Sequence, residues 1–381
     1  MDVKKRVGLR TWIEVDRKAI RHNLVIFRSL IPKKTKLMAM VKSNAYGHGL
    51  VDFSREMETL GADFLGVDSI TEGLALRREE IKLPILVLGY TLPEMVLTAV
   101  ENDISLSVSN FEVLRYVKAN QRSFSRPLKM HIKVDTGMHR QGFLAGDLSR
   151  ILSIVNGQLS NVKAEGLFTH FASAKNPSFT KDTENQIAQF KKWISAFKSA
   201  GHKPIIHASA TAGTMLFSEA HYDMVRVGMG LYGLWPDREV KEFLRDKIVL
   251  RPALVWKSII TEIKKIPTGE KIGYDLTESF EKDTRIAVVP VGYWHGYPRA
   301  LSSIGRFIVG GKECRVLGRV SMDMICIEIE KAKNIHVGDE VIIIGNDGDS
   351  ACSMEGITKV LGASWYETTT RLNPLIKRIY I

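Results

Sequence analysis

Between Leu37 and Gly230 the chain repeats one pattern: a short, apolar, β-prone run, usually followed by an amphipathic stretch. The runs are LMAMV at 37–41, FLGV at 64–67, PILVLG at 84–89, ISLSV at 104–108, MHIKV at 130–134, EGLFTH at 165–170, PIIHAS at 204–209 and MVRVGMG at 224–230. Helix-like segments lie at Val51–Leu60, Thr71–Glu80, Phe111–Ala119 and Asn185–Ser199. An earlier helix is expected over 16–32, with Asp16 as N-cap and Pro32 as terminator. Strands that alternate with helices pair in parallel, and eight such units close into a (β/α)8 barrel. The competing open, doubly wound sheet announces itself with a glycine fingerprint after its first strand. Here the first run ends in Lys42-Ser43-Asn44, which favours the barrel.

The texture changes after Pro252. LVWKSIITEIKKI at 254–266 reads as one long strand, and glycines rather than helices separate the apolar runs that follow. This predicts a (β/α)8 barrel domain over 1–245 and a mostly β domain over 246–381, joined through the charged stretch Asp237–Lys247. The first strand, at about 10–15, is free to pair with the second domain.

With 381 residues, 45% hydrophobic and 25% charged, the chain has the balance of a globular protein that needs no staples. Cys314, Cys326 and Cys352 are too sparse for a disulfide framework or a zinc site, so no metal and a reducing, cytoplasmic setting are expected. The N-terminal MDVKKRVGLRTW lacks the apolar core of a secretory signal. No run approaches the roughly 20 apolar residues of a membrane span. The net charge of +12 is spread along the chain without a long basic run. That argues against a nucleic-acid partner and for a surface that attracts small anions.

In such a barrel the chemistry gathers at the C-terminal ends of the strands. The first strand ends in Lys42, with Gly47 and Gly49 close behind. A strand-end lysine is ordinarily a solvated one; partly desolvated, its amine can attack an aldehyde as a Schiff-base lysine. The fifth ends near Lys133, Asp135 and Arg140, either a surface ion-pair cluster or a guanidinium fork for an anionic oxygen. The sixth ends at His170, where a lone histidine is more often structural than catalytic. Ser209, Thr211 and Gly213, then Arg226, Gly228 and Gly230, follow the last two strands, where barrels bind phosphate through hydroxyls and backbone N–H groups. Together these pieces ask for a phosphorylated ligand near Lys42.

Taken in order, TWIEVD at 11–16, VKSNAYGHG at 41–49, KVDTGMHR at 133–140, GLFTHFASA at 166–174, MVRVGMGLYG at 224–233, IGYD at 272–275, VGYWHGYPR at 291–299, GRVSMDM at 318–324 and YE at 366–367 resemble the bacterial alanine racemases over nearly the full length. The resemblance implies pyridoxal 5'-phosphate held covalently by Lys42. It implies phosphate contacts from Tyr46, Thr211, the backbone of Gly228 and Met229, and Tyr366, with His170 against the cofactor and Arg226 facing the pyridine nitrogen. Arg140 and the backbone N–H of Met322 would receive the substrate carboxylate, and Tyr293 would shape the pocket. Lys42 and Tyr274 would be the two bases, Tyr274 coming from the partner of a homodimer. Lys133 matches a position that can carry a carbamate in this family.

Some residues depart from the family pattern: His139 and Gln141 beside Arg140, Ala210 before Thr211, Asp275 after Tyr274, and Trp294-His295 before Gly296. Three rivals share parts of the pattern. A broader-range racemase has the same build. A related decarboxylase of basic amino acids should set a carboxylate, not Arg226, at the pyridine nitrogen. Small non-enzymatic cofactor-binding barrels lack the second domain with Tyr274 and Met322.

Overall fold

The computed structural model describes residues 8–157, 159–345 and 350–381. The first strand, β1 (Thr11–Val15), leads into a helix at Arg17–Leu30, and the Asp16 carboxylate caps it by accepting the N–H groups of Lys18 and Ala19. Eight parallel strands follow: β2 (Lys36–Met40), β3 (Phe64–Val67), β4 (Ile85–Val87), β5 (Ile104–Val108), β6 (Leu128–Lys133), β7 (Val162–Phe168), β8 (Ile205–His207) and β9 (Met224–Val227). They pair in sequence order, and β2 closes on β9. All eight anticipated runs became these strands.

The barrel interior is packed rather than hollow. A Cβ at Gly66 of β3 would lie 2.5 Å from the Met40 sulfur and 2.9 Å from that of Met38, so the glycine makes room for two β2 side chains. Outside, the helix Lys181–Ser199 buries Ile187, Phe190, Trp193, Ile194 and Phe197 along one stripe. Each such side chain stabilises the fold by about 1.5–3 kcal/mol relative to exposure.

One compact unit consists of Ile20–Ala45 and Leu50–Leu250; the other takes the residues through Ala19, the short return Tyr46–Gly49, and Arg251–Ile381. The charged stretch 237–247 carries the helix Arg238–Leu244, whose Val240 and Leu244 are buried within the barrel unit.

Among its described residues the second unit holds β1 and ten further strands, nine of the eleven in one large sheet and two in a hairpin. In chain order after the barrel they are β10 (Leu254–Ile259), β11 (Glu262–Ile266), the short β12 (Lys271–Ile272) and β13 (Glu278–Ser279), β14 (Thr284–Val289), β15 (Arg306–Val309), β16 (Lys312–Leu317), β17 (Ile325–Glu328), β18 (Glu340–Ile344) and β19 (Lys377–Tyr380). β12 and β13 form their own hairpin, and the large sheet runs β11-β14-β17-β16-β15-β18-β10-β1-β19. β1 thus lies between β10 and β19. The apolar stretch 254–266 is two strands, not one. It changes partner at Ile260–Thr261, where the Ile260 N–H turns to Asp339 and the Thr261 N–H to Val288. Two helices, Met354–Leu361 and Trp365–Thr370, interrupt the β pattern near the end.

Candidate active site

After β2 the backbone does something L-residues avoid. Ser43, Asn44, Ala45 and Tyr46 have φ of 55°, 56°, 51° and 50°, a left-handed turn that costs roughly 1–2 kcal/mol per residue. Local bonds hold it: the Glu72 carboxylate accepts the Ser43 N–H at 2.6 Å, and Asn44 Oδ1 accepts that of Leu50 at 2.9 Å. Glu72 also closes a capping box with Ser69, so the helix Ile70–Arg78 anchors the turn. The turn begins at Lys42, whose Nζ lies 3.2 Å from Asp68 Oδ1. Both side chains are partly exposed, so this pair is worth under about 1 kcal/mol and leaves the amine readily released.

Across the barrel, Arg226 on β9 is 4% exposed. Its Nη2 donates to the carbonyls of Thr169 and Ala208 at 2.9 and 2.7 Å and to His170 Nδ1 at 3.1 Å; Nη1 donates to His207 Nδ1 at 2.9 Å. Burial pulls its pKa down to about 9, which still leaves it charged at neutrality. An arginine can only donate, so His170 Nδ1 must be an acceptor. Burial, and then the charges of Arg226, Arg140, Lys133 and Lys42, push His170 down to about 3, so the ring is neutral with its proton on Nε2.

Lys133 donates to Gln141 Oε1 at 2.9 Å. Burial, then the Arg140 and Arg226 charges, bring its amine down to about 8. The loop carrying Arg140 is built on the Asp135 carboxylate, which accepts the N–H groups of Gly137, Met138 and His139. Lys133, Asp135, Arg140, Gln141 and His170 line one small pocket. Thr211 opens the helix Thr211–Leu216, and its hydroxyl accepts the Gly228 N–H at 3.0 Å, so its own proton is the part left for an anion. Gly228 and Met229 are buried beside it.

In the other unit, the Tyr46 and Tyr366 rings lie 5.9 Å apart. Tyr274 follows Gly273 (φ 77°) in a tight turn with Asp275 at φ 60°, and Asp275 pairs with Arg319 at 2.7 Å. The Tyr293 N–H donates to Ser321 and the Trp294 N–H to the Met322 carbonyl. A Cβ at Gly292 would lie 2.3 Å from that carbonyl, so glycine lets the Tyr293 and Met322 loops meet. Tyr274, Tyr293 and Met322 are 70%, 44% and 54% exposed. Departures at Gln141 and Asp275 thus acquire partners. Asp68, Glu72, His207 and Arg319 were not singled out from sequence, because each acts on a segment distant along the chain.

The donor set of the barrel unit has the chemistry that pyridoxal phosphate calls for: a releasable amine, a hydroxyl beside glycine backbone, and a buried charged donor. The family model described as alanine racemase, N-terminal domain, matches residues 15–236, and that of the C-terminal domain matches 253–380. The chain belongs to the alanine racemase family. An alanine racemase of Methanococcus maripaludis is 38% identical over 372 residues, covering 97% of this chain and 98% of that protein. Alanine racemase 2 of Oceanobacillus iheyensis is 37% identical, covering 97% and 93%. The solved alanine racemase of Clostridium difficile 630 superposes with a TM-score of 0.92 at 33% identity, covering 98% of this chain and 96% of that one. Like its relatives, the chain is an isomerase of amino acids. Among the described residues no helix is long and apolar enough to cross a membrane.

Proposed function

We propose that this chain interconverts L-alanine and D-alanine with pyridoxal 5'-phosphate at Lys42, supplying D-alanine for peptidoglycan in the cytoplasm. The buried Arg226 guanidinium carries this reading. Most enzymes of this cofactor set a carboxylate at the ring nitrogen, whereas an arginine donates there without giving up a proton. When bound, the cofactor supplies the electron sink that makes the substrate Cα acidic. Arg226 tempers that sink, which suits proton exchange and disfavours transamination. Thr211, Gly228, Met229, Tyr46 and Tyr366 would hold the phosphate, and His170 the ring.

Inverting Cα requires a proton taken from one face and returned on the other. Lys42 serves one face. Tyr274 of a second copy serves the other, so the working form is a homodimer with shared sites. Arg140 and the Met322 N–H receive the carboxylate, and Tyr293 narrows the pocket around a methyl side chain. Lys133, with an amine near 8, is partly unprotonated at neutral pH, as a carbamate facing Arg140 requires.

Racemisation of each L-amino acid by the purified protein, followed by chiral separation, tests the assignment. Alanine should exchange fastest. Alanine exchanged no faster than serine, lysine or arginine would overturn it, and release of carbon dioxide would favour a decarboxylase.

A further inference from the structure

Behind Arg226 a line of polar side chains crosses the barrel interior. Arg226 Nη1 is 2.9 Å from His207 Nδ1, His207 Nε2 is 2.9 Å from His131 Nδ1, and His131 Nε2 is 3.3 Å from Glu165 Oε2. Glu165 Oε2 also accepts the Ser105 hydroxyl at 2.8 Å, and Lys163 stands 3.6 Å from Oε1. Ser105, His131, Glu165, His207 and Arg226 come from β5, β6, β7, β8 and β9 in turn. His131 and His207 are fully buried and Glu165 is 9% exposed. An apolar core would spare the cost of burying these groups.

Every bond in the line takes the one direction that both of its ends require, the acceptor-only Glu165 carboxylate and the donor-only arginine. The arginine has no acceptor, so His207 Nδ1 must accept, and the proton of a neutral His207 sits on Nε2. That proton can only go to His131 Nδ1, which places the His131 proton on Nε2, facing the Glu165 carboxylate. Burial holds both imidazoles below their usual range, so neither ring carries a second proton.

The surroundings are shaped for these rings. Phe168 stacks on His207, with centroids 4.7 Å apart and planes 5° from parallel, and Phe64 meets His131 edge-on. A Cβ at Gly166 would lie 2.0 Å from His131 Nδ1, so the glycine in β7 is there to admit the ring.

We propose that Glu165 is a positioning residue for Arg226, acting through His131 and His207. Its carboxylate selects which nitrogen of each ring carries the proton, and so keeps an acceptor in front of the guanidinium. Without that carboxylate the His131 Nε2–H loses its partner. Moving the proton to Nδ1 turns His207 round in its turn and sets a donor against a donor at Arg226. The catalytic consequence rests on the reading that Arg226 meets the cofactor ring; the proton positions do not.

Holoenzyme labelled with 15N-histidine, with resonances assigned through single histidine variants, reports the tautomers directly. Wild type should show His131 and His207 protonated on Nε2. Glu165→Gln keeps an acceptor and should retain both tautomers with kcat within about threefold of wild type. Glu165→Leu should move both protons to Nδ1 and lower kcat roughly ten- to a hundredfold with KM for alanine unchanged, the usual loss when an orienting partner is removed. A wild-type His207 protonated on Nδ1 overturns the proposal, even where the leucine variant does not fold. So does a folded leucine variant with wild-type tautomers and kcat. Failure of the racemase reading looks different: wild type then shows no alanine exchange while its tautomers are as expected.

Discussion

Lys133 shows how one residue's surroundings set its chemistry. It lies two positions after His131 on β6, and alternation along a strand turns both to the same side. Its folded pKa of about 8 lies below the ordinary lysine value of 10.5. Between those values the unfolded chain binds more protons than the folded one, so stability attributable to this site rises with pH. Below about pH 8 both states are protonated and the full penalty applies. Lys133→Met removes the penalty, so the variant should be more stable than wild type at pH 7. Its advantage should shrink as pH climbs from 8 towards 10.5; urea unfolding at a series of pH values checks this. A constant difference across that range would show that Lys133 is not held as a depressed amine. The residue and its pocket neighbour Arg140 were legible in the motif KVDTGMHR. The bond to Gln141 was not, because it depends on how the Asp135-centred loop returns to β6.

At the scale of elements, the left-handed turn after β2 and the return Tyr46–Gly49 are the most constrained pieces. Gly47 has φ +87°, and a Cβ there would sit 2.1 Å from the Thr369 carbonyl oxygen. Arg378 fastens the same segment by donating to the Gly47 carbonyl, and the Tyr380 hydroxyl donates to that of His48. Gly47→Ala should therefore displace Tyr46 from Tyr366. The expected loss is about 2–4 kcal/mol of stability, combining a disfavoured φ with a backbone clash. Pyridoxal phosphate affinity should fall at least about tenfold, 1.4 kcal/mol in binding. Gly61→Ala is the control: its φ is +80°, but nothing lies within 4 Å of the added carbon. It should cost only about 1 kcal/mol, from backbone strain alone. Thermal denaturation and a fluorescence titration of the cofactor separate the two. Equal effects would mean that contact with Thr369 is not what Gly47 protects.

At the scale of the whole molecule, the two proposed bases sit on different units of the chain, Lys42 in the barrel unit and Tyr274 in the β unit. Shared sites predict complementation. Lys42→Ala and Tyr274→Phe homodimers should each be nearly inactive. Mixed under conditions of subunit exchange, they should regain up to one working site per heterodimer. Purified heterodimer without activity would exclude a tyrosine supplied by the partner.

Eight apolar runs alternating with helix-like stretches were enough to imply the barrel, because parallel strands buried on both faces must be apolar and each crossover needs a helix. Lys42, Thr211 and Arg226 were visible for a related reason: strand ends and the turns after them are read from local pattern. Local pattern failed where the partner lies far along the chain. The run 254–266 looked continuous because nothing in its composition records that its halves pair with β18 and β14. Of the left-handed run Ser43–Tyr46 only Asn44 has a type that favours that conformation, and bonds from Glu72 and Asn44 to segments apart in the chain help to hold it. The buried line from Arg226 to Glu165 draws one side chain from each of five strands. Those side chains meet only because a closed barrel turns its strand interiors toward a common axis, and that closure brings residues 60 positions apart, Ser105 and Glu165, within a hydrogen bond of each other.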